Sequence, residues 1–124
     1  MKGITIISLI VMTSIFGDLY AQNRVLLNNN GYIVIDNGAY LVVDNSATNA
    51  VTTLGTGGNI VSEAEANILK WNIGTATGSY TIPWTTNSGV KIPLSLNITS
   101  AGTGGGAFIL SNWLTTANNV PLPS

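Results

Sequence analysis

The chain has 124 residues and a formal net charge of −1, with four Lys and Arg residues against five Asp and Glu, and it contains neither Cys nor His. This composition excludes disulfide staples, the Ser-His-Asp and Cys-His catalytic arrangements, and His-ligated zinc sites. It also excludes a basic surface for nucleic acid and a polybasic patch for anionic lipid, so we predict no nucleic-acid partner.

The N-terminus has the pattern of a secretory signal peptide. Lys2 is followed by an almost wholly apolar, uncharged run from Ile4 to Phe16, and a small residue stands at Ala21. We predict a helical signal peptide over residues 1–21, with cleavage between Ala21 and Gln22. Because the run is shorter than the roughly 20 residues of a membrane span, we expect no stable membrane span after cleavage. A buried N-terminal helix or a retained anchor is the alternative.

Residues 24–47 consist of one eight-residue phrase written three times: RVLLNNNG, YIVIDNGA and YLVVDNSA. Each copy has four strand-forming residues followed by Asn or Asp, a second Asn and, at its end, a small residue. Asn37-Gly38 tolerates the positive φ of a tight turn. The repeat therefore predicts either strands joined by tight hairpins, or a small β-solenoid in which two or three units make one rung. Because the apolar stretches are continuous, we expect both faces of these strands to be buried.

A Gly-rich connector over residues 48–59 follows the repeat. Ser62-Glu63-Ala64-Glu65 has the spacing of a helix capping box and predicts a short helical turn or the polar end of a strand. Pro83 and Pro93 should lie at strand edges or bulges, and the glycine run over 102–106 is a connector. Four further strands are predicted, over residues 68–73, 79–84, 90–99 and 107–113.

Short strands at intervals of about ten residues are typical of a β-sandwich or a related barrel. We therefore predict an all-β fold in which an antiparallel, jelly-roll-like β-sandwich follows the repeat. In this scheme residues 22–59 form the repeat and connector. Residues 60–124 form a sandwich-like segment that packs with the repeat as one domain and is truncated at its C-terminus.

The stretch from Trp71 to Trp84, WNIGTATGSYTIPW, and the later Ile92-Pro93-Leu94 resemble segments of large secreted and cell-surface proteins of Bacteroidota. Gly57-Gly58-Asn59-Ile60-Val61-Ser62-Glu63 and the Tyr-Ala-Gln around the cleavage point are similar to the same group. The resemblance covers about residues 27–123 and implies export, commonly by the type IX secretion system through a C-terminal sorting domain. This chain shows no such domain before Ser124, and the resemblance assigns no catalytic residues.

Two groups of acidic residues are candidate sites. Asp36 and Asp44, together with Asn28, Asn37 and Asn45, could line up as oxygen ligands for Ca²⁺. Residues that cap turns explain the pattern more simply, so we predict no metal and no cofactor. Glu63 and Glu65 are the closest pair of carboxylates and could serve a glycan hydrolase. No further polar group supports them, and we predict that the chain is not an enzyme.

The aromatic residues suggest a ligand-binding alternative. Trp and Tyr rings on an exposed sheet can stack on sugars, although the same residues also serve as core. Trp84 is the residue most expected to be exposed, because the polar run Thr85-Thr86-Asn87-Ser88 follows it, and Tyr80 is its neighbour. The sequence therefore predicts an exported structural or adhesin-like β module, secreted or on the outer cell surface. Its expected partners are the export machinery and a surface glycan or other surface proteins, and a carbohydrate-binding module is the alternative.

Overall fold

The computed structural model describes residues 23–55 and 59–113, and within them the chain forms β-strands and turns without a helix. The predicted all-β class is confirmed, while the predicted signal peptide lies outside the described residues. The strands are β1 (Val25–Asn28), β2 (Tyr32–Val34), β3 (Tyr40–Val43), β4 (Val51–Leu54), β5 (Asn59–Val61), β6 (Ile68–Gly74), β7 (Gly78–Ile82), β8 (Leu94–Ile98) and β9 (Gly106–Leu110).

The first six strands are arranged as two stacked rungs of three strands each. β1 pairs with β4, β2 with β5 and β3 with β6, and all three pairs are parallel. Val25 lies opposite Val51, Tyr32 opposite Asn59 and Tyr40 opposite Ile68. A nearly constant offset between parallel strands is the register of a solenoid. The three eight-residue units therefore form the three sides of one rung, which favours the solenoid interpretation over the hairpin one.

The repeating polar residues form the corners between these sides. Asn37 and Gly38 have φ angles of 54° and 73°, and the Ala39 N–H donates to the Asp36 carbonyl oxygen over 3.0 Å. The predicted tight turn at Asn37-Gly38 is confirmed. Its flanking strands β2 and β3 do not pair with each other, however, so the turn is a corner of the rung and not a hairpin.

The stretch predicted as a connector over residues 48–59 contains β4 and the start of β5. Val51, Thr52 and Thr53 are β-branched and suit a pleated strand. The glycines that follow this stretch indicate a turn, so the sequence alone did not predict a strand here. The strand becomes evident only from the parallel pairing of β1 with β4. The second rung thus contains a side with no obvious likeness to the eight-residue phrase.

After β6 the chain begins a third layer and then reverses direction. β7 lies beside β4, and Trp84 forms an isolated parallel bridge with Ile60. β8 then pairs antiparallel with β7, and β9 antiparallel with β6. The expected antiparallel β-sandwich is therefore not confirmed, since β4, β5 and β6 pair in parallel with the repeat strands and, among the described strands, only the pairs β7–β8 and β6–β9 are antiparallel. Pro83 directly follows β7 and Pro93 directly precedes β8, so both lie outside these strands, which are shorter than the predicted strands over 79–84 and 90–99.

The core is apolar and has an aromatic centre. The ring of Tyr80 meets Trp71 edge-on at 5.2 Å between centroids and Phe108 at 5.3 Å. Trp71 Nε1 donates to the Asn45 carbonyl oxygen over 2.7 Å, and the Tyr80 hydroxyl donates to the Ser46 carbonyl oxygen over 2.9 Å. Buried polar groups are costly when they have no hydrogen-bond partner. The corner that ends the third repeat unit provides a carbonyl acceptor for the indole N–H and another for the tyrosine hydroxyl.

One side of each repeat strand is buried, and the other is not. Leu27, Ile35 and Val43 face the core, whereas Tyr32, Val34 and Tyr40 are more than half exposed. Burial of both faces was expected from the continuous apolar runs and is not observed among the described residues. The first rung therefore presents an apolar outer surface.

Candidate functional site

A surface groove beside Tyr32 is the place where polar and aromatic side chains converge. We call it the Tyr32 groove, and it is lined by Tyr32, Val34, Val61, Asn87, Ser88 and Gly89. β2 and β5 supply its apolar wall, and the turn over residues 86–89 supplies its polar wall. The Tyr32 side chain is 51% exposed, so one ring remains available to a ligand beside amide and hydroxyl groups.

The turn that forms the polar wall is held by its own backbone and hydroxyl groups. The Gly89 N–H donates to the Thr86 carbonyl oxygen over 2.9 Å, and the Val90 N–H donates to Thr86 Oγ1 over 3.0 Å. Thr86 Oγ1 also lies 2.8 Å from Ser88 Oγ. Gly89 has a φ of 86°, a conformation that glycine adopts most easily. The turn is thus a preformed element of the groove.

Glu63 fixes this turn to the second rung. Its carboxylate accepts a hydrogen bond from the Asn87 backbone N–H. Glu63 itself has a φ of 53°, which is uncommon for a residue other than Gly, Asn or Asp. Glu65 is exposed two residues further on. The sequence pair Glu63 and Glu65 therefore does not share a role, because one carboxylate anchors a turn and the other faces solvent.

The fold instead brings Glu63 near Asp36, and the two residues line one shallow groove together with Asn67 and Asn87. Asp36 Oδ1 accepts the Asn37 N–H over 2.7 Å. Each of these two carboxylates thus accepts a hydrogen bond from a backbone N–H. The two residues are 27 positions apart, which is the offset between β2 and β5. Only knowledge of that offset could have revealed their proximity from the sequence.

The other acidic and amide residues of the repeat also serve the corners. Asp44 Oδ1 accepts from Asn72 Nδ2 over 3.1 Å. Asn45 Oδ1 accepts the Ala47 N–H, and its amide donates to the Asn23 carbonyl oxygen. In the described part of the chain, no three acidic residues come together as a potential metal site.

A buried polar corner joins the two rungs. Asn67 Oδ1 accepts the Gly38 N–H over 2.9 Å, and the Asn67 amide donates to the Ser62 carbonyl oxygen. Ser62 Oγ donates in return to the Asn67 carbonyl oxygen over 2.7 Å. The helical-turn interpretation of Ser62-Glu63-Ala64-Glu65 is wrong, since the Ser62 hydroxyl closes this corner and does not begin a helix. Ser62 directly follows β5, which agrees with the alternative of a polar strand end.

The predicted ligand-binding aromatics are in the core. Tyr80 is 0% exposed and Trp84 is 3% exposed. Tyr80 is surrounded by Trp71 and Phe108, and Trp84 is buried where it bridges to β5. The expectation that Trp84 and Tyr80 would offer a face to a sugar is therefore corrected. The exposed rings among the described residues are Tyr32, Tyr40 and Trp113. The predicted cleavage point, Ala21 and Gln22, lies outside the described residues.

Comparison with family models, with curated proteins and with solved structures finds no match to this chain. Within residues 23–55 and 59–113, no helix has the length and apolar character needed to cross a membrane.

Proposed function

We propose that the chain is an exported structural β module, secreted or held on the outer cell surface, that acts as a scaffold or adhesin-like segment without catalytic activity. One observation carries the proposal: three copies of one phrase close a rung, and a second rung stacks on it in parallel register. Stacked repeats of this kind build extended surfaces. The recurring polar residues are engaged in holding corners, which suits a scaffold.

Export rests on the N-terminal pattern and on the surface chemistry. The leader has a charged start, an apolar run and a small residue before Gln22, and the remainder is neutral and rich in Asn, Thr, Ser and Gly. Export by the general secretory route is the proposal. Passage across an outer membrane by the type IX system would follow from the resemblance to Bacteroidota surface proteins.

The test of location is cell fractionation with N-terminal sequencing. We expect the chain outside the cytoplasm, beginning at Gln22, and degraded when protease is added to intact cells. A chain that begins at Met1 and resists protease inside intact cells would contradict export. The proposed lack of catalytic activity is tested separately, by incubating the purified protein with polysaccharides and measuring released reducing ends, and we expect no release. Release that disappears in Glu63→Gln would instead support the glycan hydrolase.

The Tyr32 groove supports a second candidate, a carbohydrate-binding module. An exposed Tyr ring next to Asn87 and Ser88 provides both a stacking surface and hydrogen-bonding groups. Glycan-array binding tests this candidate with Tyr32→Ala. Tyr40→Ala is the matched control, because Tyr40 is 63% exposed and does not line the groove. Binding that is lost in Tyr32→Ala and kept in Tyr40→Ala would establish the groove. Absence of glycan binding by the parent would remove this candidate and leave the scaffold proposal intact.

A further inference from the structure

The first rung has an open edge on all three of its sides. β1, β2 and β3 each pair with a single neighbour among the described strands, namely β4, β5 and β6. No described strand pairs with the backbone N–H and C=O groups on their opposite edges. We call this ring of three edges the open rung edge.

The residues that form this edge follow from the hydrogen bonds on the other side. The Val25 N–H donates to the Ala50 carbonyl oxygen and the Ile35 N–H to the Val61 carbonyl oxygen, so those residues face the second rung. Backbone groups alternate between the two sides of a strand. The alternate residues face the open side with both N–H and C=O: Leu26, Tyr32, Val34, Tyr40 and Val42. Asn28 also faces this side with its N–H, but its carbonyl oxygen accepts the Gly31 N–H over 3.0 Å.

The same residues also direct their side chains outward, and five of the six are apolar. Leu26 is 46% exposed, Val34 65% and Val42 52%. The paired positions in the second rung are Thr52, Leu54, Asn59, Val61, Ile68 and Lys70, of which three are polar. Of the three apolar ones, only Leu54 is more than half exposed. Apolar outward residues are thus concentrated in the rung whose edge is open.

The open rung edge lacks most of the features by which proteins keep strand edges apart. Proteins protect exposed edges with charged residues, prolines or bulges, or by keeping the edge strands very short. The three strands of this edge are short, at four, three and four residues, but they have none of the other protections. The strands VLLN, YIV and YLVV contain no charged residue and no proline, and each pairs in unbroken register on its inner side. An uncharged edge can approach an identical edge without electrostatic repulsion.

We propose that the open rung edge binds a second copy of this chain, with the two first rungs stacked head to head across a two-fold axis. The partner must offer three strand edges in the same ring. Among the described residues only another first rung does so, because the opposite end of the molecule is formed by β8, β9 and a hairpin that contains Lys91. A two-fold contact joins the same surface of both copies and closes the assembly as a dimer. Backbone hydrogen bonds between the two rungs would then continue the solenoid through the interface.

The test is sedimentation of the purified full chain over a range of concentrations. We expect a species of twice the monomer mass. The combined variant Val34→Lys with Val42→Lys should weaken this dimer by about tenfold or more, because like charges would meet across the axis. The matched control is Leu94→Lys with Ile109→Lys, which adds the same charge at exposed apolar positions, 37% and 63% exposed, on β8 and β9 and away from the first rung. This control should leave the dimer unchanged.

A second measurement protects the test against variants that merely misfold. Mixing the double Lys variant with Val34→Glu/Val42→Glu should restore the dimer mass, because opposite charges would then face each other. A parent that stays monomeric overturns the proposal. Association that survives both lysines at the open rung edge also overturns it, because the copies would then meet through another part of the chain. Association that is lost in the control variant overturns it as well. Open-ended polymers, or a mixture that stays monomeric, also overturn it.

Discussion

The two rungs follow the same backbone path with different sequences. In the first rung each side has nearly the same phrase, whereas in the second rung the sides read VTTL, NIV and ILKWNIG. The second rung lies between neighbours, with the first rung on one side and β7, Trp84 and β9 on the other. The comparison teaches that a sequence repeat is not needed where packing on both sides fixes the path of the strands. The sequence repeat is clearest in the first rung, which has only one neighbouring rung.

The largest test of this comparison removes an aromatic side chain from the second rung. We expect Trp71→Ala to lower the free energy of unfolding by about 3–5 kcal/mol, since the side chain is fully buried and makes the edge-on contact with Tyr80. Denaturant unfolding measures the change. Trp113→Ala is the control, with a side chain that is 42% exposed and an expected change below about 1 kcal/mol. Equal effects in the two variants would show that the second rung is not the centre of the core.

The next test breaks the polar corner between the rungs. Asn67→Ala should cost about 2–3 kcal/mol, because the Gly38 N–H and the Ser62 carbonyl oxygen would lose their buried partner. Asn72→Ala, which removes only the hydrogen bond to Asp44, should cost less than about 1 kcal/mol. Thermal unfolding of both variants measures the difference. A negligible effect of Asn67→Ala would mean that the rungs are joined by strand pairing and apolar contact alone.

A backbone test addresses the corner of the first rung. Gly38 has a φ of 73°, and a Cβ at this position would have Ala66 at 4.0 Å as its nearest neighbour, so Gly38→Val would suffer from backbone strain and not from crowding. We expect a loss of about 1–2 kcal/mol. Gly102→Val is the control, because that glycine does not have a positive φ and has open space around it. If both variants unfold like the parent, the Asn37-Gly38 corner does not determine the path of the rung.

The smallest expected effect concerns the acidic residues of the repeat. Replacing Asp36 and Asp44 with Asn together should change the free energy of unfolding by less than about 0.5 kcal/mol, since an amide oxygen can accept the same hydrogen bonds from Asn37 and Asn72. Calcium or a chelator should not move the melting temperature of either form. A chelator-sensitive melt in the parent that the double variant lacks would assign these corners to an ion site.

The local chemistry of the fold could be predicted from the sequence, and its long-range pairing could not. Strand-forming residues and Asn-Gly gave the all-β class and the Asn37-Gly38 corner, because those preferences act within a few residues. The parallel offset between β2 and β5 depends on how loops of different length close a rung, and nothing local specifies it. Without that offset, regularly spaced strands indicate a sandwich.

The candidate site was hidden for a related reason. Tyr80 and Trp84 precede polar residues in the sequence, yet both lie on the inner side of the third layer. Tyr32 lies within an apolar run that predicts burial, and it is exposed because it lies on the outward face of β2. Exposure of a strand residue depends on whether another element covers that face of the strand, which the sequence of a single strand does not contain.

The hydrogen bond from Gly38 to Asn67 also bears on the chemical ageing of the protein. Asn followed by Gly is a sequence prone to deamidation, in which the backbone nitrogen of the glycine attacks the asparagine side chain, and Asn belongs to the thermolabile residues. Here the Gly38 N–H is directed at Asn67 Oδ1 at 2.9 Å. The nitrogen that would start the reaction is held toward the second rung, away from Asn37. The intact corner should therefore preserve Asn37 during long storage of the folded protein, and the unfolded chain should lose that protection.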